Sequence, residues 1–267
     1  MTQVGQLPVP VGELLRHWRE SRRLSQLELA NQAEISTRHL SFVETGRSKP
    51  SRDMVLHLAE QLDVPLRERN ALLLAAGYAP VYAETALDAP QLAAVRGAVR
   101  QVLAGQEPYP AAALDRHWNL VEANRSLSVF TDEIADDLLT PPVNVLRVSL
   151  HPDGLARRIR NLGEWRAHLL GRLRRHVALT ADPELAGLYR ELRGYPCDDQ
   201  EPEFEVPGPG DIVVPLRVRH RDRELAFLST VTTFGTPLDI TVAELTIESF
   251  LPADAGTAAA VRDLLPA

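Results

Sequence analysis

The first eighty residues carry apolar positions that return every three or four residues, cut by polar punctuation. Leu14, Leu15 and Trp18 share one face while Arg16, Arg19, Glu20 and Arg23 lie mostly off it, which predicts an amphipathic helix from about Val11. Ser25-Gln26-Leu27-Glu28 has the form of a capping box, in which the Ser25 hydroxyl takes the Glu28 N–H and the Glu28 carboxylate reaches back. A second helix starts there, and its small or apolar Ala30, Ala33 and Ile35 allow close helix contact. Only a turn fits between Ala33 and the next N-cap, Ser36. A third helix then runs from Thr37 to about Thr45, with Leu40 and Val43 inward, Gly46 as its left-handed stop, and Thr37, Arg38, Ser41 and Phe42 outward. Val55, Leu58, Ala59 and Leu62 predict a fourth helix after Pro50-Ser51, and a fifth covers Leu66 to Ala76 up to Gly77. Five short helices with a tight bend between the second and third outline a helix-turn-helix domain over residues 1–80.

Periodicity is lost from Ala79 to Pro90, so residues 81–110 read as a linker and a connecting helix. Asp88 is placed to cap that helix, and Leu92, Val95, Val99, Val102 and Leu103 form its stripe, which faces either the next domain or the same helix of a second subunit. Residues 111–267 form a second domain. It opens with strand-like Ala113 to Asp115 and Trp118 to Glu122; Asn144 to Leu150 fits either a helix or a strand. Helices follow over Glu164 to Val177 and over Pro183 to Leu192, the latter capped by Asp182. After an acidic, proline-rich loop from Asp198 to Asp211 come three strands: Leu216 and Val218, then Leu225 to Phe234, apolar on both faces, then Leu245, Ile247 and Leu251. Two early strands, a helical middle and a closing three-stranded antiparallel sheet are compatible with a PAS-like fold, so the chain is α+β overall.

At 45% apolar and 24% charged residues, the 267-residue chain belongs to the globular class. The one cysteine, Cys197, forms no internal disulfide, which suits a reducing compartment. The longest continuous apolar stretch, Ala71 to Ala76, is far short of the ~18 residues of a membrane span, and Met1 to Pro10 lacks the basic and apolar regions of a signal peptide. A soluble, cytoplasmic chain with no membrane partner is the expectation. The net charge of −7 hides an asymmetry: residues 1–80 hold ten Lys and Arg against nine Asp and Glu, whereas the remainder holds nineteen against twenty-seven. The first part concentrates its cations at Arg16, Arg19, Arg22 and Arg23 and again at Arg38, Arg47, Lys49 and Arg52, and local clusters decide binding to a phosphate backbone.

Leu24-Ser25-Gln26-Leu27-Glu28-Leu29-Ala30, then Ile35 to Arg47 reading ISTRHLSFVETGR, then Pro50-Ser51, resembles the phage-repressor-like (Cro/C1, or XRE) helix-turn-helix family over about sixty residues. The resemblance implies that Gln26 touches a phosphate and that the third helix enters the major groove of double-stranded DNA with Thr37, Arg38, Ser41 and Phe42 nearest the bases, Ser36 being a further DNA-binding residue. Phe42 departs from the polar residue often found there, so a thymine methyl or a sugar is its expected contact. Arg47 and Lys49 follow the helix as backbone clamps; Glu44, which phosphates would repel, is read as orienting the loop through a nearby arginine or backbone group. Trp18 is read as core. A single domain of this type reads few base pairs, so a homodimer on a pseudo-palindromic operator is expected.

Asp115 to Asn124 reading DRHWNLVEAN, Pro142 to Arg147, His151-Pro152-Asp153-Gly154 and Asn161 to Trp165 are similar to the ligand-binding domain of MmyB-like regulators, over residues from about 90 to 255. That family is thought to hold a small, fatty-acyl-like ligand, so the resemblance implies a small apolar ligand in the C-terminal domain. Leu162, Trp165, Leu169 and Leu173 are the expected cover of the sheet, and Trp165, Leu169 and Phe227 the expected apolar contacts of the ligand. Arg147, His151 and Asn161 are candidates for its polar head, with Arg147 preferred for a carboxylate.

Ser149, His151 and Asp153 invite a catalytic triad, but residues that close in sequence within His-Pro-Asp-Gly fit a turn better. No phosphate loop, HExxH or GxSxG motif is present, so no catalytic residue, cofactor or metal is expected. The seven arginines from Arg157 to Arg175 are expected to pair with the acidic segments Asp132 to Asp137 and Asp198 to Glu205. The sequence therefore reads as a DNA-binding transcriptional regulator with a ligand-sensing domain. The alternatives are a DNA-targeted enzyme and a ligand-free interaction or dimerisation module.

Overall fold

In the computed structural model, which describes residues 9–180, 182–199 and 214–264, the chain divides into two units. One takes the chain up to Thr85 and adds Thr236–Ala243; the other takes Ala86–Gly235 and the chain from Glu244 onward.

Helices α1 (Val11–Ser21), α2 (Gln26–Gln32), α3 (Thr37–Glu44), α4 (Arg52–Gln61) and α5 (Leu66–Ala75) build the first unit as the periodicity predicts. Three serines start three of them: Ser25, Ser36 and Ser51 accept the N–H groups of Glu28, His39 and Met54 at 3.2, 3.1 and 3.2 Å. Glu28 completes the capping box by accepting the Ser25 N–H at 2.7 Å. Leu15, Trp18, Leu29, Leu40, Val43, Val55, Leu58 and Leu72 share one core. Close approach of α1 to the end of α3 requires Gly12, because a Cβ there would lie 2.4 Å from the Val43 carbonyl oxygen.

One buried carboxylate joins the first three helices. Glu44, 6% exposed, accepts Arg19 Nε and Nη2 from α1 at 2.7 and 3.0 Å and Gln26 Nε2 from α2 at 2.8 Å. Arg19 spends a further N–H on the Leu24 carbonyl at 2.7 Å. The pairing satisfies the donors and acceptors of two buried charges at once, the condition under which such a pair is tolerated in a core.

In the second unit, α6 (Ala93–Gly105), β1 (Ala111–Leu114), β2 (Leu120–Ala123), α7 (Ser128–Thr131), α8 (Val145–Leu150), α9 (Leu162–Thr180) and α10 (Pro183–Arg193) precede β3 (Leu216–His220) and β4 (Arg223–Thr233). Helix α11 (Ile240–Ala243) then falls within the first unit, and β5 (Thr246–Pro252) and α12 (Ala255–Leu264) return to the second. The strands form one antiparallel sheet in the order β2-β1-β5-β4-β3, so the early pair and the late trio meet where β1 lies beside β5. This is the PAS-like arrangement, with helices inserted between the two groups.

The two faces of the sheet are packed separately. On the outer face Ala111, Ala113 and Ile247 meet Val99 and Leu103 of α6. On the inner face Ala112, Leu114, Leu216, Val218, Leu225 and Phe227 share a core with Trp165, Leu169 and Leu173 of α9. Of the two partners expected for the α6 stripe, the sheet of its own unit is the one found.

Several local expectations are corrected. The early strands are displaced because Asp115 accepts the N–H groups of His117 and Asn119 at 2.8 Å each, organising a turn in which Trp118 has φ +67°. Asn144 resolves its ambiguous segment in favour of a helix by accepting the Arg147 N–H at 3.2 Å as N-cap of α8. Asp88 does not cap α6, which is entered through a 3₁₀ turn, Pro90–Leu92, with no side-chain cap. Strand β4 is not buried on both faces along its length: β3 pairs with it only from Arg223 to Phe227, and Thr230 to Thr233 beyond that are exposed.

Of the seven arginines expected to pair with acidic segments, Arg157, Arg158 and Arg166 take carbonyls, while Arg172 pairs with Glu248 and Arg160 lies 4.0 Å from Glu224. Arg158, 4% exposed, donates to the carbonyls of Val129 and Asp132 at 2.6 Å each and of Arg219 at 2.9 Å. Arg157 reaches the Glu133 carbonyl, and Arg166 closes the end of α10 through the Arg193 carbonyl at 2.8 Å. Most of the loop from Asp198 to Asp211 lies outside the described residues.

Arg19→Met keeps most of the apolar stem and removes the cation, leaving Glu44 buried without its main partner. The expected cost is about 3–5 kcal/mol, read as faster hydrogen exchange of the α1–α3 amides in the full chain. A loss below about 1 kcal/mol, the range of surface pairs, would contradict this role for Glu44.

Candidate nucleic-acid interface and cavity

Helix α3 presents a surface organised around one aromatic ring. Phe42 is half-buried, and the guanidinium of Arg38, exposed one turn earlier, lies 5.3 Å from its ring centroid. Arg47, on the loop after the helix, lies 6.0 Å from the same ring, and that loop is turned back by Ser48 N–H donating to the Phe42 carbonyl at 3.0 Å. Lys49 Nζ lies 5.4 Å from the ring of Tyr78, whose hydroxyl donates to the Pro50 carbonyl at 3.0 Å. Cation–π contact of this kind restrains long side chains without neutralising them. Among the described residues, Arg38, Arg47 and Lys49 form no ion pair.

Thr37 and Ser41 are half-buried on the same helix, and the Ser41 carbonyl accepts the Thr45 hydroxyl at 2.7 Å. Ser36 is exposed, with its hydroxyl oxygen engaged in the cap. Gln26 is half-buried, its amide nitrogen held by Glu44. The stacking of two guanidiniums on Phe42 was not read from the sequence, although Arg38 and Phe42 stand at the i, i+4 spacing that brings side chains together on a helix.

In the second unit a cavity of about 230 Å³ lies against the inner face of the sheet. Its strand side is Ala112, Leu114, Leu120, Leu216, Glu248 and Phe250; Val148 and Ser149 of α8 and Trp165 and Leu169 of α9 close other walls, together with Phe130 and Leu155. The lining is almost wholly apolar, as small-molecule sites are, though the volume is below the usual ~300–1,000 Å³.

Polar groups interrupt it at a few points. Trp165 Nε1 donates to Ser149 Oγ at 3.0 Å, and the Trp165 indole stacks on His168 with centroids 5.4 Å apart. Burial, helped by the nearby Arg172 and Arg175 charges, lowers the His168 pKa and favours the neutral ring. Glu248, 5% exposed, accepts Arg172 Nη1 at 2.7 Å and Ser229 Oγ at 2.9 Å, and the Arg172 guanidinium stacks 4.7 Å from the Trp118 ring.

Trp165 and Leu169 thus line the cavity, whereas the other ligand candidates do not. Phe227 is fully buried in the core beneath it, edge-on to Phe130 at 5.2 Å. Arg147 turns away to α10, where its Nε and Nη2 form a bidentate pair with Glu191 at 2.8 Å each, and Tyr195 donates to the same carboxylate at 2.6 Å. This pairing holds the Glu191 carboxylate below its ordinary range, while burial and the bond to Glu191 push the Tyr195 phenol well above its own.

His151 accepts the Asp153 N–H at 3.1 Å and meets the Tyr195 ring edge-on at 5.0 Å. Asn161 ties the start of α9 to β3, donating to the Pro215 carbonyl at 2.8 Å and accepting the Arg217 N–H at 3.1 Å. All three hold local structure, and none of them is among the residues that line this cavity. Ser149 and His151 form no hydrogen bond with each other among the described residues. Glu248, Phe130 and Phe250 were not singled out, and Ser149 was weighed only as part of a triad; the available signal was Glu248 two residues before Phe250, which places both on one face of a strand.

No helix among the described residues is long and apolar enough to cross a membrane, and no group of three or more His, Cys, Asp or Glu among them is arranged to hold a metal ion. A family model described as a helix-turn-helix domain matches residues 10–72, and one described as the MmyB-like transcription regulator ligand binding domain matches residues 95–264. No curated protein matches the chain. Among solved structures, an RNA-binding light-oxygen-voltage receptor is similar at 13% identity over 95% of this chain and 59% of the other, with a TM-score of 0.27. The second family match spans more than half of the chain, and with the first it places a helix-turn-helix domain and a regulator ligand-binding domain in one chain: the chain belongs to the MmyB-like transcription regulators.

Proposed function

We propose that the chain is a sequence-specific regulator, working as a homodimer on a pseudo-palindromic DNA operator in the cytoplasm, whose C-terminal domain takes a small, elongated apolar ligand. The observation that carries this reading is the presence in one chain of an α3 surface with ring-supported, unpaired cations and of an apolar cavity in a separate unit.

In this reading α3 enters the major groove. Arg38 meets a guanine edge, with Thr37 and Ser41 beside it, and Phe42 serves both as the platform for Arg38 and as an apolar contact for a thymine methyl. Arg47 and Lys49 clamp the phosphate backbone on the far side of the helix, and Ser36 and Gln26 approach it at the starts of α3 and α2. Gln26 spends one N–H of its amide nitrogen on Glu44, so its contact with a phosphate runs from the second N–H of that same nitrogen.

Ligand and operator are coupled by population shift: a ligand that favours one arrangement of the cavity walls biases the dimer geometry that sets the spacing of the two recognition helices. Strands β4 and β5 carry Ser229, Glu248 and Phe250, and the chain between them is the segment Thr236–Ala243 of the DNA-binding unit. Within that unit Asp239 accepts the Thr85 hydroxyl at 2.6 Å, and the Ile240 N–H donates to the Ala83 carbonyl at 2.8 Å. A covalent route therefore leads from the cavity walls to the DNA-binding unit.

Arg38→Ala is expected to weaken binding to the selected operator by about 1–3 kcal/mol and to relax preference at one base position. Gel-shift titration against an operator library reads both, and an unchanged preference profile would remove Arg38 from base reading. For the ligand, native mass spectrometry of the full chain purified from its own cytosol is expected to show added mass that is lost on denaturation, with lipid-like composition in the released fraction. Ligand-free protein whose operator affinity ignores apolar extracts would refute the sensing half of the proposal.

A further inference from the structure

The cavity carries one ionisable side chain among its described lining residues, and it is an anion. Glu248 lies on β5 with its side chain 7% exposed. Both of its hydrogen bonds fall on Oε1, one from Arg172 and one from Ser229; Oε2 accepts none among the described residues. No Lys, Arg or His is among the described residues that line the cavity.

Resting on the ligand-sensing reading above, we propose that the cavity selects an elongated apolar molecule with an uncharged, hydrogen-bond-donating head, an alcohol in the simplest case, and discriminates against the matching carboxylate. A hydroxyl donating to Oε2 satisfies an acceptor that the protein leaves open. A ligand carboxylate would instead enter a low-dielectric space beside the Glu248–Arg172 pair, where its own desolvation and its repulsion with Glu248 are opposed by no free cation. Arg172 does not serve that purpose, because its charge is paired with Glu248 and its planar face rests on Trp118. That same pairing disfavours an ammonium head, which would enter beside a carboxylate already neutralised and would carry its own desolvation cost.

The shape of the molecule follows from α9. Trp165, bonded to Ser149, and Arg172, bonded to Glu248, stand seven residues apart on that helix, roughly 10 Å along its axis at 1.5 Å per residue. Leu169 lies between them and lines the cavity, so the polar mark at Glu248 sits at one end of an apolar stretch.

The test is calorimetric titration of the full-length protein at about pH 8, where an alkyl carboxylic acid is ionised, with decanol, decanoate and decylamine as probes. Decanol is expected to bind about tenfold or more tightly than either charged probe. In Glu248→Gln the preference over decanoate is expected to fall to within about threefold. Because that variant leaves Arg172 unpaired, the double variant Glu248→Gln/Arg172→Gln, checked by circular dichroism, is measured beside it and is expected to show the same collapse. Decanoate or decylamine binding as tightly as decanol, or a selectivity unchanged in both variants, overturns the proposal and leaves the sensing reading intact. Binding of none of the three probes overturns both.

Discussion

Helix α9 is held over the inner face of the sheet by two polar bridges, and the cavity exists in the space they keep open. Trp165 is fastened to Ser149 on α8 and Arg172 to Glu248 on β5, while between them Leu169 lines the cavity. Beneath it stands Ala112, which is opposite Glu248 in the β1–β5 register and too small to fill the gap. The outer face shows the contrasting result. There the equally small Ala111 and Ala113 let α6 close down through Val99 and Leu103 into a core of its own. Small residues on β1 thus serve two ends: close packing where a helix is free to settle, and unfilled space where polar bridges fix its height.

The DNA-binding unit uses buried charge for a different purpose. Glu44 gathers α1, α2 and α3 onto one carboxylate, so the position of α3 relative to the two helices behind it is fixed by hydrogen-bond geometry as well as by the shared apolar core. In front of α3, Phe42 and Tyr78 support Arg38, Arg47 and Lys49 through their ring faces. In the proposed function this matters because ordering long cations before they meet DNA lowers the entropy lost on binding, and leaving them without carboxylate partners keeps their charge available. The chain's overall negative charge is compatible with this, because what matters to a phosphate is the local cluster.

What was legible in the sequence was chiefly what is local. Ser25 with Glu28, Ser36 and Asp182 each announce a helix start because the cap and the N–H it takes lie within three residues, and all three are found as caps; Ser51 is a further cap that the sequence reading did not name. The apolar spacing likewise named the core of the first unit. Errors enter where a side chain has more than one place to go. Asp115 ends β1 with a turn where strand propensity alone would carry on, and Asp88 stands too far before α6 to reach its first turn. Arg147, His151 and Asn161 are polar residues in a stretch that resembles a ligand domain, but their partners Glu191, Tyr195 and Arg217 are distant in sequence, so the direction in which each side chain turns was not readable. Glu248 was missed for the complementary reason: its burial depends on Arg172, 76 residues earlier.

The central claim, that the inner face of the sheet leaves real empty space for an apolar guest, is tested most directly by filling it. Val148→Phe adds a ring at a cavity wall on α8. If the space exists, thermal and denaturant stability of the full chain stays level or rises while uptake of apolar ligand is lost. If the core is instead tightly packed there, the same change forces neighbours out of their rotamers and costs about 1–3 kcal/mol, and that result would contradict the cavity.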